Sequence, residues 1–410
     1  MTGADYNFPS VEDYEPYIGP EAVRRIRTKA KQFKNHLVTH INSTYYGGGV
    51  AEMLSSVTLL MNDLGIKTGW RLIKGLPSFF VVTKKMHNAL QGGDFEFNQR
   101  EIDLYEAVLY ENSLRMNLNH DFVVVHDPQP LGLIKHFRKK GPWIWRCHID
   151  MSQPNQQLWD YLQPYVEEFD AAIFSMEQYK RRLRTPQVLF MPAIDPFTLK
   201  NKQLSEKEMD EKLKEYNIPT DLPLVTQVSR YDRWKDPEGV IEAYKIARKE
   251  VDCTLILLGN TATDDPEGQE VYESLLEAQD DRTLLMACGD DTALVNTLQA
   301  RSAVVMQKSV REGFGLTVTE AMWKGTPVIG GNVGGIPAQI SDGFNGFLVN
   351  SPQEAAERLV TLLKDENLRC RMGEKARESV KEKFLMTRLV EQYIDLFASF
   401  ETQYRCTLPF

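Results

Sequence analysis

The chain has 410 residues, 42% of them hydrophobic and 26% charged, with a formal net charge of −9. That length predicts two or three domains, with an apolar content suited to globular cores. The cations are interleaved with acids, which excludes the sustained basic patch of a nucleic-acid binder.

The longest apolar runs, such as TLILLG and HDFVVVHD, fall far short of the roughly 20 residues that a spanning helix needs. The opening stretch MTGADYNFPS has no basic region followed by an apolar one, so no signal peptide is expected. Cys147, Cys253, Cys288, Cys370 and Cys406 are scattered, without a C-x-x-C pair. That argues against a disulfide framework or a structural zinc and for a reducing, cytoplasmic compartment.

Along the chain, short β-branched runs alternate with longer amphipathic segments, the pattern of βαβ units and parallel sheets. The first run, HLVTHIN (36–42), leads into Gly47, Gly48 and Gly49, and a helix is expected from near Val50 to Gly65. Glycines at a strand-to-helix turn let backbone N–H groups approach a ligand beside the positive end of the helix. A tight turn alone needs fewer of them. The pattern is neither G-x-G-x-x-G nor a Walker A loop, which disfavours nicotinamide or P-loop chemistry.

Further strands are expected at 121–127, 143–150, 171–176 and 187–193, as near-continuous apolar runs buried on both faces. His126 ends VVVHD and His148 ends WRCHID. A lone histidine favours a structural role, but two at equivalent strand ends tilt toward function. Neither has a metal-ligand spacing. The chain also lacks a D-x-D pair, which counts against a metal-built nucleotide-sugar site.

The polar segment AIDPFTLKNKQLSEKEMDEKLKEYNIPTDLP places a domain boundary at 217/218, with 202–216 as a solvated helical face. The strand pattern then restarts at 223–230, 253–259, 283–288, 303–307, 327–331 and 346–350, followed by a helical tail from Pro352. Two doubly wound, Rossmann-like α/β domains follow, residues 1–217 and 218–384, with ligands at the carboxyl ends of strands and the interdomain cleft as the default active site.

Arg230 ends one of these strands, and Lys235 precedes a helix that Pro237 opens. Two such cations are placed to hold a diphosphate and neutralise charge as it leaves. The plainer alternative is a surface ion pair with Asp232 or Asp236. In VREGFGLTVTE (310–320), Glu312 precedes Gly313-Phe314-Gly315, and a helix is expected over Leu316 to Lys324. Thr317 and Glu320 fit a capping box, a structural reading for Glu320. Glu312, beside Phe314 and ahead of a buried helix, needs a polar partner, which sugar hydroxyls would supply.

Glu312-x7-Glu320, with Arg230 and Lys235 upstream, resembles the signature of the retaining GT-B glycosyltransferases, the family that includes sucrose synthases and sucrose-phosphate synthases. VVVHDPQPLGL, WRCHIDMSQPN, SRYDRWKDPEGVIEAY and VREGFGLTVTEAMWKGTPVIGGNVGGIPAQI resemble trehalose glycosyltransferring synthases, with retaining trehalose phosphorylases sharing much of them. The resemblance covers nearly the whole chain. It implies glucose transfer from UDP- or ADP-glucose to free glucose, open to reversal.

By the same resemblance, Arg230 and Lys235 hold the donor diphosphate, Glu312 the glucose hydroxyls and Glu320 the ribose hydroxyls. Gly313 and the amides of Phe314, Gly315, Leu316 and Thr317 touch sugar and phosphate, and Gly48 and Gly49 lie over the phosphates and acceptor. His126 contacts the transferred glucose, with His148, Asp150 and Asp127 nearer the acceptor. Residues 385–410 cross back to the first domain. No bound metal or cofactor is implied, with Mg2+ at most a stimulant. The implied partners are sugars and a nucleotide, with neither nucleic acid nor membrane, and a homodimer is compatible. The alternatives are a phosphorylase, a sucrose-type synthase, a nucleotide-sugar sensor or an epimerase.

Overall fold

The computed structural model describes residues 8–45, 48–94, 96, 98–260 and 266–406. Among them no helix is long and apolar enough to cross a membrane. The chain divides into two compact units, Met1–Ala193 with Met386–Phe410, and Ile194–Leu385.

The first unit runs through α1 (Glu15–Ala30), β1 (Leu37–Asn42), α2 (Gly49–Asp63), β2 (Lys67–Leu72), α3 (Pro77–Leu90) and α4 (Gln99–Ser113). It continues with β3 (Phe122–His126), β4 (Trp143–Arg146), α5 (Gln156–Val166), β5 (Ala171–Phe174) and β6 (Gln187–Leu189). The six strands form one parallel sheet in the order β2-β1-β3-β4-β5-β6. Strands β3, β4 and β5 are buried at every residue, as expected of a parallel sheet covered on both faces. Strand β2, absent from the sequence expectations, is the sheet's edge. Lys67 and Arg71 interrupt its apolar run, because only part of an edge strand is covered.

The second unit contains α6 (Glu206–Glu215), β7 (Leu224–Val228), α7 (Pro237–Ala247), β8 (Thr254–Leu258), α8 (Pro266–Leu275), β9 (Thr283–Met286) and α9 (Thr292–Arg301). After them come β10 (Val304–Gln307), α10 (Leu316–Trp323), β11 (Val328–Gly331), β12 (Phe347–Val349), α11 (Pro352–Lys364) and α12 (Glu366–Lys383). Its parallel sheet is ordered β12-β11-β10-β7-β8-β9. The strand order therefore reverses between β7 and β10 here, and between β1 and β3 in the first unit. Crevices outside the carboxyl ends of strands at such switch points are where open α/β sheets bind ligands.

The boundary lies at 193/194 and not at 217/218. Helix α6 belongs to the second unit because Leu213 and Ile218 join its core with Val228, Ile256 and Leu294. Lys212 and Tyr216 also reach Asp291 at 3.1 and 2.9 Å. Its mostly charged surface made the segment look like a linker, since α6 buries only Met209 and Leu213.

The last helix, α13 (Met386–Cys406), belongs to the first unit. Phe397 stacks on Phe122 with centroids 4.2 Å apart, and Arg388 Nη2 donates to the carbonyls of Met191 (2.8 Å) and Pro192 (2.9 Å). Residues 407–410, part of the tail expected to cross back, lie outside the described residues.

Candidate active site

In the second unit, the loops after β7 and β10 are tied together at the switch point. The Trp234 carbonyl accepts from Val310 N (2.9 Å) and Arg311 N (3.3 Å), and the Arg311 guanidinium lies 4.4 Å from the Trp234 ring centroid. Gln227, inside β7, donates from Nε2 to the Lys235 carbonyl at 2.8 Å. This scaffold sets Lys235 Nζ 2.7 Å from Glu312 Oε2, with the Glu312 residue only 9% exposed. Ser309 Oγ donates to the same oxygen at 3.3 Å. The polar partner that Glu312 requires is therefore supplied within the protein.

Arg230 is 60% exposed at its side chain and pairs with Asp232 at 3.2 Å. This is the surface ion pair weighed for it from sequence. Lys235 makes no such pair with Asp236. That residue, at φ 52°, caps α7 by accepting from Gly239 N (3.1 Å) and pairs with Lys308, a buried cation unremarked in the sequence.

Gly313, Phe314 and Gly315 lead into α10. Gly315 adopts φ 83° as N-cap, and no side chain caps the helix. The capping box expected from Thr317 and Glu320 does not form, because the helix starts at Leu316 and puts Glu320 one turn in. Its first turn instead presents backbone N–H groups, Thr317 among them, at the positive end of the helix dipole. A Cβ on Gly335 would meet the Phe314 Cα at 2.7 Å, so the glycine loop after β11 can lie directly on this turn. Glu320 is 2% exposed, 3.4 Å from Lys200 Nζ, and accepts from Gln299 Nε2 at 3.2 Å.

In the first unit, Gly48 at φ 82° is the N-cap of α2, while Gly47 lies outside the described residues. A Cβ at Gly48 meets nothing within 4 Å, so its backbone angle is what calls for glycine. His126 is 1% exposed, and both ring nitrogens are engaged: Nε2 is 2.9 Å from His40 Nδ1 and Nδ1 is 3.0 Å from His148 Nε2. No polar ring atom of His126 is left over for a sugar. His148 is less buried, and its backbone N–H donates to Asp127 Oδ1 at 2.8 Å. Asp150 accepts from Ser152 N at 2.8 Å, shaping its own turn.

Burial, then Arg146, pushes the His40 imidazole down to about 3. Burial also holds His126 and His148 well below the usual histidine range, so all three rings are neutral near pH 7. Asp127 stands at φ 62°, a sparsely populated angle for a non-glycine residue and common at functional sites. Burial pushes its carboxyl up to about 7, against the opposing effects of the His148 N–H and Arg146.

The described residues contain no group of three or more His, Cys, Asp or Glu able to hold a metal ion. A groove of about 480 Å³, lined by Trp159, Arg181, Arg182 and Arg184 among others, includes none of the residues above.

Residues 40–181 match the family described as "Trehalose synthase, N-terminal domain", and residues 208–379 match "Glycosyl transferases group 1". The "Trehalose synthase" of Pyrococcus horikoshii is 44% identical over 398 residues, 95% of this chain and 96% of that one. The chain belongs to the trehalose synthase family of glycosyltransferases. It is also similar to a "Trehalose phosphorylase" of Grifola frondosa, 28% identical over 91% of this chain and 58% of the relative. Among solved structures, the alpha,alpha-trehalose 6-phosphate synthase of Burkholderia multivorans superposes with a TM-score of 0.73 at 14% identity, covering 90% of this chain and 100% of that one. The protein is thus a trehalose-related glycosyltransferase of the α/β GT-B fold.

One consequence of the site's electrostatics is measurable in the unfolding equilibrium. The unfolded chain releases the Asp127 proton near the ordinary value of 3.8, whereas the folded chain keeps it to about 7. Between those values the native state binds more protons, so Asp127 makes stability fall as pH rises. Asparagine tolerates the same φ and still accepts from His148 N, without titrating. Urea unfolding of Asp127→Asn should show its stability margin over the wild type widening from about pH 4 to 7, then levelling. A margin that stays constant across this range would contradict the assignment.

Proposed function

We propose that the protein transfers glucose from a nucleoside diphosphate glucose, UDP- or ADP-glucose, to free glucose, giving trehalose with retention at the anomeric carbon. The observation that carries this is the Lys235–Glu312 pair, 2.7 Å apart at the switch point of the second unit, beside a helix start that no side chain caps. A cation and a carboxylate held side by side suit a donor whose diphosphate is anionic and whose sugar offers only hydroxyls.

In this mechanism Lys235 and Arg230 take the diphosphate, and Arg230 gives up its exposed pairing with Asp232 to do so. The amides at the start of α10 add fixed dipoles toward the same charge. Glu312 accepts from glucose hydroxyls. A double displacement would need a carboxylate under the anomeric carbon. With Glu312 committed to hydroxyls and to Lys235, we favour a same-face path, in which the leaving diphosphate takes the acceptor's proton and Lys235 stabilises the developing charge. In the first unit, His148 is the histidine available to the sugars, supported by His126. The reading assigns ribose contact to Glu320, whose carboxylate would have to be shared with Lys200. It needs no metal for the transfer.

The phosphorylase alternative uses the same residues on one phosphate, and the similarity to the Grifola frondosa protein keeps it open. A mass-resolved incubation with UDP- or ADP-glucose plus glucose, with and without inorganic phosphate, separates the two. Nucleoside diphosphate and a non-reducing disaccharide formed together, independent of phosphate, is the expected result. Disaccharide turnover only with phosphate or glucose 1-phosphate would replace the synthase reading with the phosphorylase.

Removing one donor to a developing charge raises a barrier by about 2.7–4 kcal/mol. Lys235→Ala should therefore lose on the order of a hundredfold or more in kcat. A kcat within threefold of the wild type would rule out its role at the diphosphate.

A further inference from the structure

His40, His126 and His148 form a line of imidazoles joined at 2.9 and 3.0 Å. The strand register builds this line. His40 of β1 lies opposite Val124 of β3, and His126 lies opposite Arg146 of β4, two residues before His148. With a period of two, His40, His126 and Arg146 share one sheet face. On that face the Tyr393 ring of α13 stands edge-on to His40, with centroids 5.5 Å apart. Arg146 Nη1 donates to the Tyr393 hydroxyl at 3.4 Å.

Three neutral imidazoles carry three ring protons, and two ring-to-ring hydrogen bonds force all three into the same tautomer. Only two registers exist. With protons on Nδ1, His40 donates to His126 and His126 donates to His148, leaving a lone pair on His40 Nε2 and an N–H on His148 Nδ1. With protons on Nε2, every bond reverses and an N–H is stranded at His40 Nε2. That atom is buried without a partner in a residue of 0% exposure. A buried orphan N–H is among the rarest defects in proteins. At the His40 end, in a residue of 0% exposure, no ligand can satisfy it, whereas His148 Nδ1, also without a partner, belongs to a partly exposed residue. Burial and the Arg146 cation, which acts on all three rings, keep the line neutral.

We propose that His40 is a positioning residue which, through His126, holds His148 in the Nδ1–H tautomer, so that His148 offers a fixed donor to a sugar oxygen. His148 Nδ1 is likewise buried without a partner, but His148 is the least buried of the three residues, so this is the end of the line that a sugar oxygen can approach. The tautomer rests on the hydrogen-bonded line and its closed His40 end, whatever the reaction. Its effect on turnover rests on the glucosyltransfer reading, and the two are tested separately.

Long-range proton–nitrogen NMR on protein labelled with 15N-histidine reads the tautomers directly. The expected spectrum at pH 7 shows His40, His126 and His148 each with a protonated Nδ1 and a bare Nε2. A protonated Nε2 on His148, or unlike tautomers on adjacent rings, would overturn the proposal whatever reaction the protein performs. In the transfer assay, His40→Leu should lower kcat/KM for glucose about tenfold, the loss of one good hydrogen bond. His40→Asn, whose amide can donate to His126 Nε2, should return it to within threefold of the wild type. An asparagine variant as slow as the leucine one, or a leucine variant within twofold of the wild type, would remove the positioning role. If His40→Leu does not fold, the wild-type spectrum and the asparagine variant still decide.

Discussion

The ion pair between Lys235 and Glu312 is the constraint on which the second unit's site depends. A carboxylate 9% exposed, next to the apolar start of α10, is costly to leave unpaired, and Lys235 at 2.7 Å relieves that cost. The pairing also fixes geometry. It closes the loop after β7 onto the loop after β10, and the Trp234 carbonyl with the amides of Val310 and Arg311 repeats the closure in the backbone. Two loops that are distant in sequence become one surface because β7 and β10 are neighbours where the strand order reverses. The same pair that ties the two loops sets a cation and an acceptor side by side for a ligand with opposite needs.

The first unit solves a different problem, that of buried polar groups with no charge partner. His40, His126 and Arg146 all point to the sheet face that α13 covers. They are satisfied by one another, by the Phe190 carbonyl at 3.2 Å from Arg146 Nη2 and by the Tyr393 hydroxyl. Burial keeps the imidazoles neutral, so the line behaves as a set of oriented dipoles and not as a cluster of like charges. The C-terminal helix thereby does more than cap a core. Without Tyr393, both Arg146 and the closed end of the histidine line would lose their cover.

Much of the fold was legible because parallel strands buried on both faces leave unbroken apolar runs, as in VVVHD and TLILL. What failed had local causes. Strand β2 carries the cations of an edge, and α6 shows a charged surface over two buried side chains. Within the site, the residue types at strand ends pointed to Arg230, Lys235, Glu312 and the two histidines, but contacts between distant segments were invisible. Lys200 reaches Glu320 from a segment that looked like a linker, and Lys308 pairs with Asp236 across 72 positions. His40 left a usable signal. It falls on the even positions of β1 shared with Val38, and strand register alone carries it beside His126. The Thr317–Glu320 spacing matches a capping box, but the helix begins at Leu316, as expected, with Gly315 as its N-cap, so Thr317 lies inside the first turn and cannot cap it.

The central claim is that Lys235 serves the donor's diphosphate while Glu312 serves its glucose. Calorimetric titration of UDP, ADP and their glucose conjugates into the wild type, Lys235→Ala and Glu312→Gln tests this most directly. The account predicts that Lys235→Ala loses affinity for the bare nucleoside diphosphate. It predicts that Glu312→Gln keeps or gains that affinity, having shed a neighbouring negative charge, yet loses the extra affinity conferred by glucose. Undiminished diphosphate binding by Lys235→Ala, or undiminished preference for the glucose conjugate by Glu312→Gln, would contradict it.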